Sequence, residues 1–366
     1  MQSSTHWVES LSPWPKDGFG LDRMHALLER LGNPQTRFPA IHVVGTNGKS
    51  TTTRLIEALL GSEGVRVGAY SSPHVRGWGE RIRVDGADAD FERAVARVQP
   101  HAGDATQFEI LTAAALLEFA HREVDVVVCE AGLGGRHDAT NVLSTRVVVL
   151  TNVALEHTDV LGETREAIAA EKLAVVQEGC VVVVGQPEWV ELARANGAGR
   201  VDVAAASNLA LAVTAAEAYL GREVHPHAAD GVALAGRLER VGESPLEIWD
   251  GAHNLAGVGY LLPRLPARDD WTVVVSILGD KRPEQMLEAL SVLGPRLVAT
   301  QSSSPRVVPA GELAARAEPY FQDVHADPDP RAALALARRL AGPRGAVVVT
   351  GSLYLLSELV DSRDRP

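Results

Sequence analysis

The sequence predicts an α/β protein with two domains, each built on a mostly parallel sheet covered by helices. Apolar runs that end at turns alternate with helical patterns through the first part of the chain, and the same alternation restarts near its last third. A stretch rich in glycine, histidine and proline separates the two series. We therefore place one domain at residues 1–240 and a smaller one at residues 241–366.

The first domain is predicted from six strand-like runs with helical segments between them. The strands are "PAIHVVG", "VRVGAY", "VDVVVCEAG", "RVVVLTNVA", "CVVVVGQ" and "RVDVAAAS". The clearest helices are "STTTRLIEALLGSEG" and "ILTAAALLEFAHR". Continuous apolar strands alternating with helices are typical of a parallel sheet that is buried on both faces.

The second domain is predicted from four later strands and an amphipathic helix. The strands are "PLEIWDGAHN", "WTVVVSILGD", "RLVATQSSS" and "GAVVVTGSLYLL", and the helix is "DPRAALALARRLAG". The segment before them, "GREVHPHAADGVALAGRLERVGESP", lacks a long period and is interpreted as an interdomain connection. The pattern indicates a smaller, Rossmann-like α/β domain.

Composition excludes several classes of protein. The 366-residue chain is 46% apolar and carries a formal charge of −12, spread along its length, which disfavours nucleic-acid binding. No window approaches the roughly 18–20 apolar residues that span a membrane, and the N-terminus lacks an export pattern, so we expect a cytoplasmic protein. Cys129 and Cys180 are too few for a disulfide framework or a zinc site.

Lysine is scarce in this chain, and its positions are therefore informative. Of 35 basic residues only four are lysine, namely Lys16, Lys49, Lys172 and Lys281. Arginine cannot readily lose its proton, and its fork fits poorly where one compact ammonium must approach a phosphate group. The lysines that remain are candidates for chemistry that arginine cannot perform.

The segment "HVVGTNGKSTTTRLIEALL" has the form of a strand, a glycine turn and a helix. Gly45 and Gly48 permit a turn whose N–H groups point inward, and Lys49 and Ser50 open the helix. This predicts a loop that binds phosphate, with Ser50 on a magnesium ion. Val43 stands where the strict P-loop pattern has its first glycine, so a plain strand-to-helix turn stays an alternative.

Two later strand ends carry further candidates for metal binding. Glu130 ends the strand "VDVVVCE", where open parallel sheets bind ligands, and its carboxylate is placed to hold magnesium. His157 follows the strand "RVVVL" and suits a second divalent ion. We expect these two strand ends to be neighbours; the alternatives are a solvent-facing glutamate and a surface histidine.

Motifs along most of the chain resemble the folylpolyglutamate synthase/dihydrofolate synthase family, the folate branch of the Mur ligase superfamily. They run in the family's order from about residue 19 to 356. The matching segments include "GLDRMHALLERLGNPQTRFPAIHVVGTNGK", "GAYSSPHVRGWGERIRV", "TQFEILTAAALLEFA", "AGLGGRHDATNV", "LEHTDVLGET", "EKLAVV", "GRLE", "DGAHN", "LGDKR" and "TGSLYL". The resemblance implies a P-loop ATPase domain followed by a glutamate ligase domain.

The resemblance also implies residue roles. It implies ATP contacts from the loop and from later motifs: Gly45, Thr46, Asn47, Gly48, Lys49, Ser50, Thr51, Asn208, Arg237 and Asp250. It implies magnesium ligands at two sites, drawn from Ser50, Glu130 and His157. Lys172 matches the lysine that the family carbamoylates, and a potassium ion is a further expectation. It implies contacts to the substrates from Ser72, Pro73, His74, Arg81 and Ser352, and catalytic roles for Lys49, Lys172, Arg237 and His253.

The implied reaction joins L-glutamate to a dihydropteroate or reduced folate carboxylate through an acyl phosphate, in an enzyme that acts as a monomer. The chain departs from the family where Ser50 follows Lys49 directly, without an intervening glycine, as in the cell-wall Mur ligases. This favours one alternative, a Mur-type amide ligase with a different acyl substrate. A nucleotide switch without catalysis is the other, and retaining Glu130, His157 and Lys172 together disfavours it.

Overall fold

The computed structural model describes residues 3–15 and 18–360, so Lys16 lies outside the described residues. The chain forms two compact units. The first comprises the described residues up to Ser72 together with Trp78–Val232, and the second comprises Pro73–Gly77 and the chain from Ala233 onward. The domain boundary at residue 240 stays a prediction.

The first unit contains an eight-stranded sheet in the order β4-β3-β2-β5-β1-β6-β7-β8. All neighbours are parallel except at the edge formed by β3 and β4. The strands are β1 (Ala40–Val44), β2 (Val67–Tyr70), β3 (Ile82–Val84), β4 (Ala87–Asp88), β5 (Val126–Glu130), β6 (Thr145–Leu150), β7 (Val181–Val184) and β8 (Arg200–Val203).

Helices cover both faces of this sheet. They are α1 (Ser4–Ser10), α2 (Asp22–Arg30), α3 (Lys49–Ser62), α4 (Phe91–Val98), α5 (Gln107–His121), α6 (Thr158–Leu161), α7 (Arg165–Leu173), α8 (Val190–Ala195) and α9 (Asn208–Leu220). Apolar residues of α3 and α9 share a buried cluster with alternate residues of β1, and those of α5 pack in a separate cluster. The central strands are buried on both faces, as their continuous apolar runs predict.

One expectation about the first sheet is wrong. The strands that precede Glu130 and His157, β5 and β6, are not neighbours, because each pairs with β1, which lies between them. Sequence order gives no information about this insertion, since β1 precedes both strands in the chain. Consequently the turn that follows β1 lies between the carboxyl ends of β5 and β6.

The second unit contains a six-stranded sheet in the order β13-β12-β11-β14-β10-β9, in which only β9 is antiparallel to its neighbour. Its strands are β9 (Glu239–Glu243), β10 (Leu246–Trp249), β11 (Trp271–Val275), β12 (Arg296–Ala299), β13 (Asp323–Ala326) and β14 (Ala346–Thr350). Its helices are α10 (Leu255–Leu261), α11 (Pro283–Leu290), α12 (Ala310–Ala317), α13 (Pro330–Ala341) and α14 (Leu353–Leu359).

The sequence did not predict the two edge strands of the second sheet. β9 lies within the segment interpreted as a connection, and both β9 and β13 are short, partly exposed and polar. Edge strands that face solvent need no continuous apolar run, so they lack the pattern on which the prediction depended. Among the described residues no helix is long and apolar enough to cross a membrane.

Candidate active site

The phosphate loop, residues 45–50, depends on two glycines whose backbone other residues rarely adopt. Gly45 has φ +146, and a Cβ there would lie 1.9 Å from Thr151 Oγ1. Gly48 has φ +82 and is the N-cap of α3. Because α3 begins at Lys49, the loop ends at the N-terminus of a fourteen-residue helix, where free N–H groups and the helix dipole favour an anion.

The loop is held in place by the residues that follow β6. Asn152 Oδ1 accepts a hydrogen bond from Asn47 N at 3.0 Å, and its Nδ2 donates to Asn47 O at 2.9 Å. Thr151 Oγ1 also donates to Asn47 O, at 2.7 Å, and Thr46 Oγ1 accepts from Ala154 N at 3.1 Å. Thr151 and Asn152 stand directly after the apolar run of β6, and the sequence pattern did not single out either side chain.

Ser50 and Glu130 come together beside the phosphate loop. Ser50 Oγ donates to Glu130 Oε1 at 3.0 Å, and Glu130 Oε2 accepts from Ser72 N at 3.0 Å. Both side chains are buried. A hydroxyl and a carboxylate are oxygen ligands that suit magnesium, which takes one or two protein ligands and completes its shell with phosphates and water. The pair therefore fits a magnesium ion that accompanies a nucleotide.

Lys172 lies under the same loop, near the end of α7. Its side chain is buried, and Nζ donates to Gly45 O at 2.9 Å. Burial, reinforced by the charge of Lys49, lowers the pKa of Lys172 from 10.5 to about 7, against the opposing effect of Glu156, Asp138 and Glu171. An appreciable fraction of this amine is thus neutral near pH 7, as reaction with carbon dioxide requires.

His157 occupies a backbone conformation that is uncommon for a non-glycine residue. Its φ is +50, at the start of α6, and such strain usually persists only where the surrounding structure enforces it. His157 Nε2 lies 3.9 Å from Glu156 Oε1, and Glu156 also acts on the charge of Lys172. The described residues contain no group of three or more histidine, cysteine, aspartate or glutamate side chains arranged around a metal site.

The remaining candidates of the first unit lie in or next to the phosphate loop. Lys49 Nζ donates to Thr46 O at 3.2 Å, and Thr51 is half-buried in the first turn of α3. Asn208 is the first residue of α9, where Ser207 supplies the helix cap. A Cβ on Gly48 would lie 2.4 Å from Asn208 Oδ1. The fold thus brings Asn208 to the phosphate loop across 160 residues of sequence.

The candidates Arg237, Asp250 and His253 cluster in the second unit. Asp250 is buried, and its carboxylate accepts from Leu238 N at 2.8 Å and from Ala252 N at 2.9 Å. Burial raises the pKa of Asp250, while these two N–H groups and the charge of Arg237 oppose that rise. His253 Nδ1 lies 3.0 Å from Gly251 O, and because a carbonyl oxygen only accepts, Nδ1 is the donor in this contact.

Ser352, a predicted substrate contact, also has a structural role as a helix cap. It is the N-cap of α14, and its Oγ accepts from Tyr354 N at 3.1 Å. The hydroxyl is buried directly after β14, at the carboxyl edge of the second sheet. Its proton stays available to a ligand, because a cap uses the hydroxyl only as an acceptor.

The motif "SSPHVRGWGERIRV" divides between the two units. Ser72 and Arg81 belong to the first, whereas Pro73 and His74 group with the second. The Arg81 guanidinium lies 4.8 Å from the ring centre of Trp78 and acts on the charge of the Tyr70 hydroxyl. Arg81 and Ser72 therefore border the same part of the first unit as Glu130.

Sequence reasoning missed two side chains around the loop that follows β5, Phe108 and Asp138. The ring of Phe108 lies against Gly132, and a Cβ on that glycine would be 2.5 Å from the ring. The ring centres of Phe108 and Tyr70 are 6.1 Å apart. Asp138 is buried, and its carboxylate accepts from Leu133 N at 2.7 Å and Thr140 N at 3.0 Å. Burial raises the pKa of Asp138. Asp138 lies within the quoted motif "AGLGGRHDATNV", which was a sufficient reason to single it out.

Family models match both parts of the chain. The model described as Mur ligase middle domain matches residues 43–222, and the one described as Mur ligase, glutamate ligase domain matches residues 236–353. The dihydrofolate synthase/folylpolyglutamate synthase of Bacillus subtilis is 32% identical, over 93% of this chain and 94% of that protein.

Solved structures agree with this match in fold. Escherichia coli FolC in complex with DHPP and ADP has a TM-score of 0.89 at 30% identity, covering 99% of this chain and 98% of that one. A bifunctional folylpolyglutamate synthase/dihydrofolate synthase with Mn, AMPPNP and L-glutamate bound has a TM-score of 0.86 at 30% identity, covering 98% of this chain and 97% of that one. The two-domain α/β, Mur ligase-like fold predicted from the sequence is confirmed.

Proposed function

The chain belongs to the dihydrofolate synthase/folylpolyglutamate synthase family, and we propose that it joins L-glutamate to the carboxylate of a dihydropteroate or reduced folate at the expense of ATP. The observation that carries this proposal is the convergence of Lys49, Ser50, Glu130 and Lys172 on one glycine loop at a helix N-terminus. This set of residues suits phosphoryl transfer to a carboxylate.

The first step is activation of the acceptor. A carboxylate is a poor acylating agent, because oxide or hydroxide would have to leave. Attack of its oxygen on the γ-phosphorus of ATP gives an acyl phosphate and releases ADP. The chain contributes positioning and charge: the N–H groups of the loop and the Lys49 ammonium bind the phosphate oxygens.

Divalent ions assist at this step by neutralising phosphate charge when they are bound. Ser50 and Glu130 would hold the first ion. A second ion would use His157, with Glu156 and a carbamoylated Lys172 nearby, because a carbamate converts a buried amine into an oxygen ligand. A potassium ion is a further proposal that rests on the family resemblance alone.

Residues of the second unit would serve the nucleotide and the incoming amino acid. Arg237 is proposed to contact ATP phosphate, and Asp250, whose carboxylate is already oriented by two N–H groups, to contact the ribose. The amine of L-glutamate must attack in its neutral form, and His253, whose ring is oriented by its contact with Gly251 O, is proposed to serve at this step. The tetrahedral intermediate then expels phosphate and leaves the amide.

The pterin end of the acceptor is proposed to bind beside the loop that follows β5. The half-buried ring of Phe108, backed by the buried Tyr70, provides a flat apolar surface, and Arg81 and Asp138 provide polar groups near it. We also propose, from the family resemblance, that Ser72, Pro73 and His74 contact the substrate. We further propose that the enzyme acts as a monomer in the cytoplasm.

The direct test is product formation with purified protein. ADP release is measured with ATP, magnesium and L-glutamate, with dihydropteroate or tetrahydrofolate as acceptor. The proposal requires ADP release that depends on both glutamate and an acceptor, together with a product one glutamate heavier by mass spectrometry. Activity confined to a peptidoglycan-type acyl substrate would favour the Mur-type alternative, which the direct Lys49–Ser50 sequence supports.

A further inference from the structure

A cavity of about 420 Å³ lies within the second unit and takes no part in the site described above. Three arginines line it, Arg76, Arg331 and Arg338, together with Glu239. Its apolar lining includes Trp249 and Leu334. In a chain with a formal charge of −12, a cavity with more positive than negative lining is unusual and points to an anionic ligand.

Arg338 is fixed in this cavity by a buried carboxylate. Its Nε donates to Glu247 Oε2 at 2.7 Å and its NH2 group to Glu247 Oε1 at 3.0 Å. Trp249 Nε1 donates to the same carboxylate, at 2.7 Å. Two parallel hydrogen bonds orient the guanidinium without covering it, since its side chain is still 47% exposed while that of Glu247 is 3% exposed. The arginine is pre-organised for a second acceptor.

Arg331 supplies a second cation on the same helix. It stands in the first turn of α13, seven residues before Arg338, and Leu334 lies on the same face between them. Within the described part of the chain its guanidinium has no acidic partner, and the side chain is exposed. Two helical turns separate the two arginines by about 10 Å along the axis.

We propose that this cavity binds the γ-linked glutamate tail of folate substrates or products. The inference rests on the proposed function, because only a glutamate-adding enzyme meets such tails. Each γ-linked residue adds one free carboxylate and two methylene groups, which match arginines set along an apolar surface. Five backbone bonds separate successive residues of the tail, so carboxylates two residues apart lie about 12 Å apart when extended.

The position of the cavity in the second unit agrees with such a role. Trp249 directly precedes Asp250, and Glu239 follows Arg237 by two residues, so the candidate nucleotide contacts flank the two strands that help to form the cavity. Glu239 accepts from Gly236 N at 2.7 Å and pairs with Arg76, which fixes this wall of the cavity. A substrate that already carries several glutamates needs a binding place for the carboxylates that do not react.

The test compares acceptors with and without a tail in a matched pair of variants, Arg331→Gln and Arg339→Gln. Both arginines are exposed on α13, and Arg339 does not line the cavity. With tetrahydrofolate carrying four glutamates, Arg331→Gln is expected to raise KM about fivefold or more, with kcat unchanged. With a monoglutamate acceptor the change should stay below about twofold, as it should for Arg339→Gln with either acceptor.

Calorimetry with tail analogues that lack a pterin separates this proposal from the proposed function. Penta-γ-glutamate is expected to bind the wild-type protein more tightly than α-linked pentaglutamate of similar charge, and Arg331→Gln should weaken that binding. Equal binding of the two peptides, or equal KM changes for both acceptors, would overturn the tail assignment. If the protein adds no glutamate to any acceptor the proposed function fails, whereas the peptide comparison still decides the cavity.

Discussion

Two buried charges in the first unit have opposite surroundings. The Glu118 carboxylate in α5 is 1% exposed and faces two arginines, with Arg97 NH1 at 2.5 Å and Arg93 NH2 at 3.5 Å. Lys172 is 5% exposed, yet among the described residues no carboxylate lies within 4 Å of its ammonium, which donates instead to the carbonyl of Gly45. One charge is neutralised within the fold and the other is not.

We interpret this difference as the one between a structural ion pair and a candidate reactive group. Burying a charge costs free energy unless a partner compensates it, and Glu118 is compensated by its arginines. Lys172 has only the more distant carboxylates of Glu156, Asp138 and Glu171 to offset its burial, so burial lowers its pKa to about 7 and favours the neutral amine. A buried group kept without its counter-charge is a candidate for chemistry with a ligand, here carbon dioxide followed by a metal ion.

The strongest test of this contrast is Lys172→Arg. Arginine stays protonated, cannot form a carbamate and has a bulkier head group than the buried lysine that donates to Gly45 O. We expect ATP-dependent turnover to fall below detection in the ADP-release assay. Circular dichroism and thermal unfolding must first establish that the variant folds. Near-normal turnover in a folded variant would sink the assignment of Lys172.

A second test substitutes one acid of each kind, Glu130→Gln and Glu118→Gln. Loss of the Glu130 charge beside Ser50 should lower kcat about 10²–10³-fold with little effect on unfolding. Loss of the Glu118 charge should instead destabilise the fold by about 1–3 kcal/mol and leave kcat within about twofold. The comparison breaks down if both variants lose activity and stability in the same proportion.

Ser50→Ala tests the loop itself and should have a smaller effect. Removing a hydroxyl that lies 3.0 Å from Glu130 is expected to raise the half-saturating magnesium concentration on the order of tenfold. Steady-state rates across a magnesium titration provide the measurement. If magnesium dependence is untouched, Thr51 or another hydroxyl has taken the place of Ser50, and the missing glycine after Lys49 has altered the site.

The pH dependence of stability sharpens the contrast further. The pKa of Lys172 is about 7 in the folded state and 10.5 as its ordinary value, so between these pH values the unfolded chain binds more protons. The contribution of Lys172 to the free energy of unfolding should therefore increase by up to about 1.4 kcal/mol for each pH unit above 7, until the pH reaches its ordinary pKa. Below pH 7 this contribution should not change with pH.

Lys172→Met has no titrating amine at this position, so it is the matched reference for the pH dependence. Urea titrations of both proteins between pH 6 and 9, in buffers free of carbon dioxide, give the difference in their free energies of unfolding. That difference should move in favour of the wild type as pH rises above 7. Parallel curves for the two proteins would mean that Lys172 has an ordinary pKa despite its burial.

The sequence predicted the central strands and the phosphate loop because both have strong local patterns. The run "PAIHVVGTNGKS" contains the strand, the glycines and the helix start together, and the structure has each where the pattern predicts it. The edge strands β9 and β13 lack apolar runs and were missed. Local patterns also could not predict the order of the strands, because the pairing of β1 with both β5 and β6 depends on contacts between residues distant in sequence.

Residues of the candidate site were likewise predicted where they have a local sequence pattern and missed where they have none. Glu130 and Lys49 stand at positions where strand ends and helix starts reveal them. Asn152, which holds the loop through Asn47, and Phe108, which lies against Gly132, have no local signature, because a polar residue after a strand and an aromatic residue in a helix are common. The proximity of Asn208 to Gly48 likewise requires the folded chain.

The most direct test of the account follows oxygen atoms through the reaction. The acceptor is labelled with ¹⁸O in the carboxylate that reacts, and the phosphate released with ATP, magnesium and L-glutamate is analysed by mass spectrometry. An acyl phosphate formed at the loop of Lys49, Ser50 and Glu130 requires one labelled oxygen in each phosphate. Phosphate without label, formed together with the glutamylated product, would contradict carboxylate activation at this site.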